Sequence, residues 1–132
     1  MKLLLDTHTL LWSLFDRQQL SNTARESILD PENAVYASVI SFWEISLKYN
    51  LGKLSLKKIK PDELPYYAEK SGYEILEISP GDASSFYRLP VMRHKDPFDR
   101  LIIWQAMKND MALATRDKEI SDYLKYGLKI IW

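Results

Sequence analysis

Cysteine is absent from the 132 residues, and only two histidines are present, His8 and His94. Without cysteine there can be no disulfide framework, zinc ribbon, iron–sulfur cluster or thiol nucleophile. Two histidines cannot build a histidine-rich metal centre, so any metal held by this chain must lean on carboxylates, which suits hard cations such as magnesium or manganese. A charge excess is missing too. Eighteen basic and eighteen acidic residues cancel, which is not the composition of a protein that coats nucleic acid nonspecifically, and any such contact must come from local patches. Long hydrophobic runs are also lacking. Met1-Lys2-Leu3-Leu4-Leu5-Asp6 is too short for a signal peptide and nothing is long enough to span a bilayer, so the expectation is a cytoplasmic protein that makes no membrane contact.

What is present is ordinary for a globular domain: 46% hydrophobic and 27% charged residues. The length fits one domain over residues 1–132. The apolar runs Leu3–Leu5, Val35–Tyr36, Tyr73–Ile78, Met111–Thr115 and Leu128–Trp132 predict five short strands. Helices are predicted between them: Thr7–Phe15, Ser21 as N-cap of a helix to Leu29, Val39–Leu51 closed by Gly52, Asp62–Lys70, Asp82–Arg88, Pro97–Asn109 and Lys118–Tyr126. Short apolar strands alternating with helices argue for an α/β fold, a mainly parallel five-stranded sheet with helices on both faces. Ligands in such sheets bind beyond the carboxyl ends of the strands, where Asp6 and Asp117 fall.

Four acids stand out, each with a structural alternative. Asp6 ends the first strand and is equally suited to capping the next helix. Glu44 lies on an otherwise apolar helix whose polar residues Ser38, Ser41, Glu44 and Lys48 fall three or four apart in one stripe. Such a stripe borders a polar site or, in the plain alternative, carries an exposed Glu44–Lys48 pair. In Asp96-Pro97-Phe98-Asp99, Asp96 reads as the N-cap of a helix beginning at Pro97, with Asp99 in its first turn. Asp117 is a candidate ligand or a cap for the last helix.

Taken together the pattern resembles the PIN domain, and within it the VapC-type toxins of prokaryotic toxin–antitoxin pairs. The resemblance rests on Leu3-Leu4-Leu5-Asp6-Thr7-His8-Thr9-Leu10-Leu11-Trp12, Ser41-Phe42-Trp43-Glu44-Ile45, His94-Lys95-Asp96-Pro97-Phe98-Asp99-Arg100-Leu101-Ile102 and Leu113-Ala114-Thr115-Arg116-Asp117. It implies a three-layer α/β/α sandwich and places the family's acids on Asp6, Glu44 and Asp99, with a commonly present fourth on Asp117. It further implies a magnesium- or manganese-dependent endoribonuclease, an antitoxin protein as partner and a homodimer. Hydrolysing a phosphodiester needs an activated water and a leaving oxygen held in line, which one or two divalent cations supply. Lys48, Lys53, Lys57, Lys58, Arg93, His94, Lys95, Arg100 and Arg116 are the positive groups available for substrate, with Arg100 and Arg116, beside the acids, the expected phosphate contacts. Three alternatives stay open: a non-catalytic PIN-fold binding module, a DNA nuclease, and a haloacid-dehalogenase-like phosphatase. The last would want a second Asp where His8 stands. Four tryptophans and eight tyrosines are more aromatic surface than a small core easily hides.

Overall fold

The computed structural model describes residues 1–132. In chain order the elements are β1 (Lys2–Leu5), α1 (Thr7–Phe15), α2 (Asn22–Leu29), β2 (Ala34–Ser38), α3 (Val39–Asn50), α4 (Leu64–Lys70), β3 (Glu74–Leu76), α5 (Pro80–Ser85), α6 (Pro97–Lys108), β4 (Ala112–Ala114) and β5 (Lys129–Ile131). Short 3-10 turns precede α2 and α4 and follow α5. The predicted last helix, Lys118–Tyr126, is wound as 3-10 throughout. The five strands form one sheet in the order β3-β2-β1-β4-β5, and every neighbouring pair is parallel.

Alternation along β1 divides the core in two. Leu3 and Leu5 pack with Leu10, Ala24, Ile28 and Ala68 from α1, α2 and α4. Leu4 packs on the other face with Ile102, Ile103, Ala106, Ile120 and Tyr123, from α6 and the 3-10 segment. All three leucines are fully buried, as a central parallel strand covered on both faces requires. The result is the expected three-layer sandwich.

Strand order fixes where a ligand can sit. The chain moves outward from β1 to β2 and β3, then returns to the other side of β1 for β4 and β5. That reversal opens a crevice beyond the carboxyl ends of β1 and β4. The start of α1 runs directly off β1 at this edge, α3 runs directly off β2, and the segment Thr115–Asp117 leaves β4 there. No helix is long and apolar enough to cross a membrane.

Local signals account for most helix ends. Ser21 and Ser79 cap α2 and α5 through their hydroxyls, and Pro97 occupies the first turn of α6, where a missing N–H costs nothing. After α3 the chain turns at Gly52, whose φ of +72° is the left-handed conformation glycine adopts readily. Of the tryptophans, Trp104 belongs to the core, at 8% exposure, with its indole N–H donating to the Asp82 carbonyl at 2.9 Å. Trp43 is 59% exposed.

Candidate metal centre

Asp6 is both cap and buried acid. Its Oδ1 accepts the Thr9 amide at 2.9 Å, closing the first turn of α1, and its own N–H donates to the Ala114 carbonyl at 3.2 Å, tying the end of β1 to β4. Only 7% of the residue is exposed. Burial raises its carboxyl above the ordinary aspartate range, against the Thr115 hydroxyl and the Thr9 amide, which favour the charge. The Thr9 hydroxyl, in the same turn, is the one buried side-chain polar atom with no partner.

Glu44 is 3% exposed, so its stripe on α3 faces inward. The Thr7 hydroxyl donates to its Oε1 at 2.6 Å and the Lys48 ammonium to its Oε2. The stripe continues through Ser41, whose hydroxyl lies 3.1 Å from that of Thr7, and Ser38, whose hydroxyl meets the buried Gln105 of α6. The Glu44–Lys48 pair exists, therefore, but with the carboxylate buried and the lysine half-buried, not as a solvated surface pair. The Glu44 hydrogen bond raises the Lys48 ammonium, and the charges of Asp96 and Asp99 add to it. Lys48 thus lies over the acidic group as its nearest fixed cation from α3.

Asp96 caps α6, its Oδ1 accepting the Asp99 amide at 3.0 Å. This turn aims Asp99 at His94, with Nε2 at 2.7 Å from Oδ2. The opposite ring nitrogen, Nδ1, lies 3.3 Å from Asp117 Oδ2. The Asp99 carboxyl is pushed up to about 6, first by burial and then by the charges of Asp96, Asp6 and Glu44, against the His94 hydrogen bond, which favours its ionised form. His94 loses affinity for its proton through burial, yet Asp99 and Asp117 outweigh this and leave it raised. Asp117 also caps the final 3-10 segment, accepting from the Glu119 amide.

The four acids predicted from sequence therefore gather at one edge of the sheet, close enough for Asp6 and Glu44 to act electrostatically on Asp99. They do not all converge to ligand spacing. The one compact group, its donor atoms all within 4.8 Å of one another, is His94, Asp99 and Asp117. His94 is the residue that sequence reasoning passed over as one more basic group. Its signals were its place two residues before the Asp96 cap and at the head of the run His94–Ile102.

The expected phosphate contacts behave differently. Arg100 turns into the protein: its guanidinium stands over the Phe86 ring at 5.0 Å and donates to the Leu89 and Pro90 carbonyls and the Tyr123 hydroxyl. Helix geometry explains this, since one residue along from Asp99 is a rotation of about 100° around α6. Arg93 is held by Asp122 in a two-pronged pair at 2.8 Å. Arg116 remains exposed, over the Trp12 ring at 5.7 Å.

The cap makes a separable prediction. Asp96→Ala removes one N-cap, worth about 1 kcal/mol, so the melting temperature should fall by roughly 2–5 °C while any activity that depends on the other four acids largely survives. Unchanged melting with complete loss of activity would make Asp96 a ligand instead.

A parallel α/β sandwich with buried carboxylates at its topological switch defines the class, a fold with an acidic site at the strand ends. The sequence matches the PIN-domain family over residues 3–125, and the chain belongs to that family. Among solved structures it is similar to VapBC2 from Rickettsia felis bound to a promoter DNA fragment (16% identity, TM-score 0.65, 98% of this chain and 97% of that one). It is similar also to FitAcB from Neisseria gonorrhoeae (22% identity, TM-score 0.62, 97% and 95%), and to VapBC-1 from nontypeable Haemophilus influenzae (16%, 0.65, 98% and 96%). At these identities the likeness concerns the fold. A comparison with curated protein sequences gives no match.

Proposed function

We propose that this chain is a divalent-metal-dependent endoribonuclease, the toxin of a toxin–antitoxin pair. The observation that carries the reading is the acidic edge itself: buried Asp6 and Glu44, with Asp99 and Asp117 beside them, around the switch point of the sheet. Anionic side chains kept out of water with so few cations among them are costly unless a cation completes the set. The donors are hard oxygens, the set that magnesium and manganese take. Asp6, Glu44 and Asp99 would hold the principal ion, directly or through water, and Asp117 would serve a second ion or place the attacking water. When bound, such ions lower the pKa of a coordinated water and offset charge on the phosphate oxygens.

The chain's own residues supply the frame. Thr7 and Lys48 hold the Glu44 carboxylate in place, the Asp6 cap fixes its carboxylate against α1, and the Asp96 cap orients the turn carrying Asp99. Of the basic groups, Arg116 and Lys48 are free or half-exposed beside the acids and are the phosphate contacts we assign. Arg100, assigned that role from its position in sequence, has its donors directed to the Leu89–Pro90 segment and acts through the fold.

Two features support protein partners. The similar structures include VapBC and FitAB, among them a member of the VapBC family of toxin–antitoxin systems from Mycobacterium tuberculosis. Along α3 and its C-cap, Trp43, Leu47 and Leu51 repeat every four residues and are 59%, 36% and 55% exposed, an apolar stripe suited to burial against a second copy or an antitoxin.

Purified protein should cleave a structured RNA in magnesium or manganese and stop in EDTA, with no turnover of a phosphomonoester and slower cleavage of DNA. Absence of RNA cleavage in either metal, with the fold intact, would leave the non-catalytic binding module as the better account.

A further inference from the structure

The outward face of α1 is built the wrong way round for a surface helix. Thr9, Leu10 and Ser13 turn inward and are buried. His8, Leu11, Trp12 and Phe15, spaced i, i+3, i+4 and i+7, line the opposite side, with His8 and Phe15 exposed and Leu11 and Trp12 half-buried. A surface helix ordinarily turns polar residues to water, so this stripe lacks a partner. It begins at the acidic edge: His8 follows Asp6 by two residues and lies close enough for its charge to favour the Asp6 carboxylate. We propose that His8, backed by Trp12 and Arg116, stacks an unpaired base of single-stranded RNA beside the acids, and that the strand's phosphates continue toward Lys57 and Lys58. This rests on the ribonuclease reading of the acidic edge and gives its substrate a form.

Ring geometry is the first argument. The His8 imidazole and the Trp12 indole are stacked, their centroids 5.7 Å apart and their planes 27° from parallel. Helix spacing alone brings residues i and i+4 together, so the contact itself is ordinary and its surroundings carry the point. Trp12 packs against the core and leans on Trp132 at 6.0 Å, which fixes the lower ring. The Arg116 guanidinium stands over the same indole at 5.7 Å, on the segment that leaves β4 toward Asp117. His8 is the exposed ring of the stack, so its face is the one a base meets. Aromatic rings and guanidinium planes are the groups on which proteins stack splayed-out bases.

Charge is the second. A groove of about 650 Å3 runs beside the stripe, between α1 and residues 55–59, walled by Leu11, Phe15, Leu56 and Ile59 and carrying Lys57 and Lys58. Both lysines are exposed, and neither they nor Arg116 makes an ion pair. The one acid in the groove is Asp16, at the far end of α1 from the site. In a chain without net charge, three uncommitted cations beside Trp12 are the local patch that a polyanion's backbone needs. The bases of a duplex are already stacked on one another, so the platform selects an unpaired strand. The competing account gives the stripe to a protein partner, for which the flat face of His8 counts no more than any apolar contact.

A labelled, unpaired oligoribonucleotide and the duplex of the same sequence, titrated with protein in EDTA and in calcium and followed by fluorescence anisotropy, test this without relying on cleavage. The single strand should bind more tightly than the duplex. His8→Ala should weaken single-strand binding roughly 5- to 150-fold, the loss of one stacked base, and leave duplex binding unchanged. His8→Phe, which keeps a ring and drops the charge, should bind close to wild type. His8 is exposed, so both variants should keep the fold, as melting curves check, and the wild-type comparison of strand with duplex stands without them. Equal binding of strand and duplex would overturn the platform, as would equal binding by wild type and His8→Ala. A loss in His8→Phe as large as in His8→Ala, or no RNA binding at all, would overturn it too. Binding that follows the expected pattern, with no cleavage in magnesium or manganese, would keep the platform and overturn the ribonuclease reading. Cleavage by His8→Ala with unchanged KM would do the reverse.

Discussion

Asp6→Asn, Glu44→Gln and Asp99→Asn should each reduce metal-dependent RNA cleavage by about a thousandfold or more, since the several kcal/mol of charge stabilisation that divalent ions supply to the reaction is lost with them. The three acids stand at one edge of the sheet but on different elements, the end of β1, the middle of α3 and the first turn of α6. A shared loss would therefore reflect a shared site and not one damaged helix. Their structural roles differ in a way that can be checked alongside. Asn at position 6 can still accept the Thr9 amide, so the cap survives. Gln at position 44 keeps an acceptor for the Thr7 hydroxyl but leaves Lys48 without its carboxylate. Asp117→Asn should cost less, about tenfold, because that side chain is the most exposed of the four, at 35%. Circular dichroism and melting curves establish that each variant is folded. If two of the three principal variants turned over RNA at near wild-type rates in saturating metal, the assignment of the site would be wrong.

The second large effect concerns the metal-free protein and pH. The Asp99 carboxyl, raised to about 6 in the folded chain, titrates near 3.9 when unfolded. Between those values the folded state holds the extra proton, so stability falls as pH rises through the window and stays lower above it. His94 acts in the same direction: its raised value gives stability below about 6.5 that fades as pH passes through its folded value. The shift at Asp99 corresponds to roughly 2–3 kcal/mol, which for a domain of this size is on the order of 5–10 °C. Metal-free Asp99→Asn should therefore melt several degrees above wild type at pH 7.5 and about level with it at pH 4.5. Repulsion is concentrated at Asp99, because Glu44 is neutralised by Lys48; the Glu44→Gln change alone should bring little or no gain. A divalent ion favours the fully ionised set, so millimolar manganese should raise the wild-type melting temperature at pH 7.5. A hundredfold excess over the dissociation constant contributes about 2.7 kcal/mol. Protons compete for the same oxygens at pH 5 and the gain should shrink. Equal metal stabilisation at the two pH values, or in wild type and Asp99→Asn, would mean that Asp99 is not part of the site.

The sequence made the fold legible where periodicity and caps were strong. Leu3–Leu5 is an unbroken apolar run because β1 is covered on both faces, and Ser21, Asp96 and Gly52 mark helix ends by chemistry that needs no tertiary partner. The winding of Lys118–Tyr126 was not legible: its apolar spacing suits an α-helix, whereas the structure has a 3-10 segment with Ile120 and Tyr123, three residues apart, buried in one cluster with α6 side chains. Strand ends were less legible, with Met111–Thr115 narrowing to Ala112–Ala114, since pairing partners set them and not the strand itself. Within the site, the acids could be named from their neighbours in sequence. Burial, which separates the Glu44 of this structure from a surface ion pair, could not. Nor could the directions of long side chains. Arg100 follows Asp99 directly yet faces Phe86 and Pro90, while His94, five residues before Asp99, touches it. Position along a chain says little about which way an arginine turns, whereas a short aspartate at a helix start has few choices.

The central claim is that this acidic edge cuts RNA with a divalent ion. Wild type and Asp99→Asn, purified identically and compared on one structured RNA in manganese, in magnesium and in EDTA, test it most directly. Cleavage by wild type in either metal, none in EDTA, and at least about a thousandfold less by a folded Asp99→Asn is the predicted result. Equal cleavage by the two proteins, or cleavage that persists in EDTA, would contradict it.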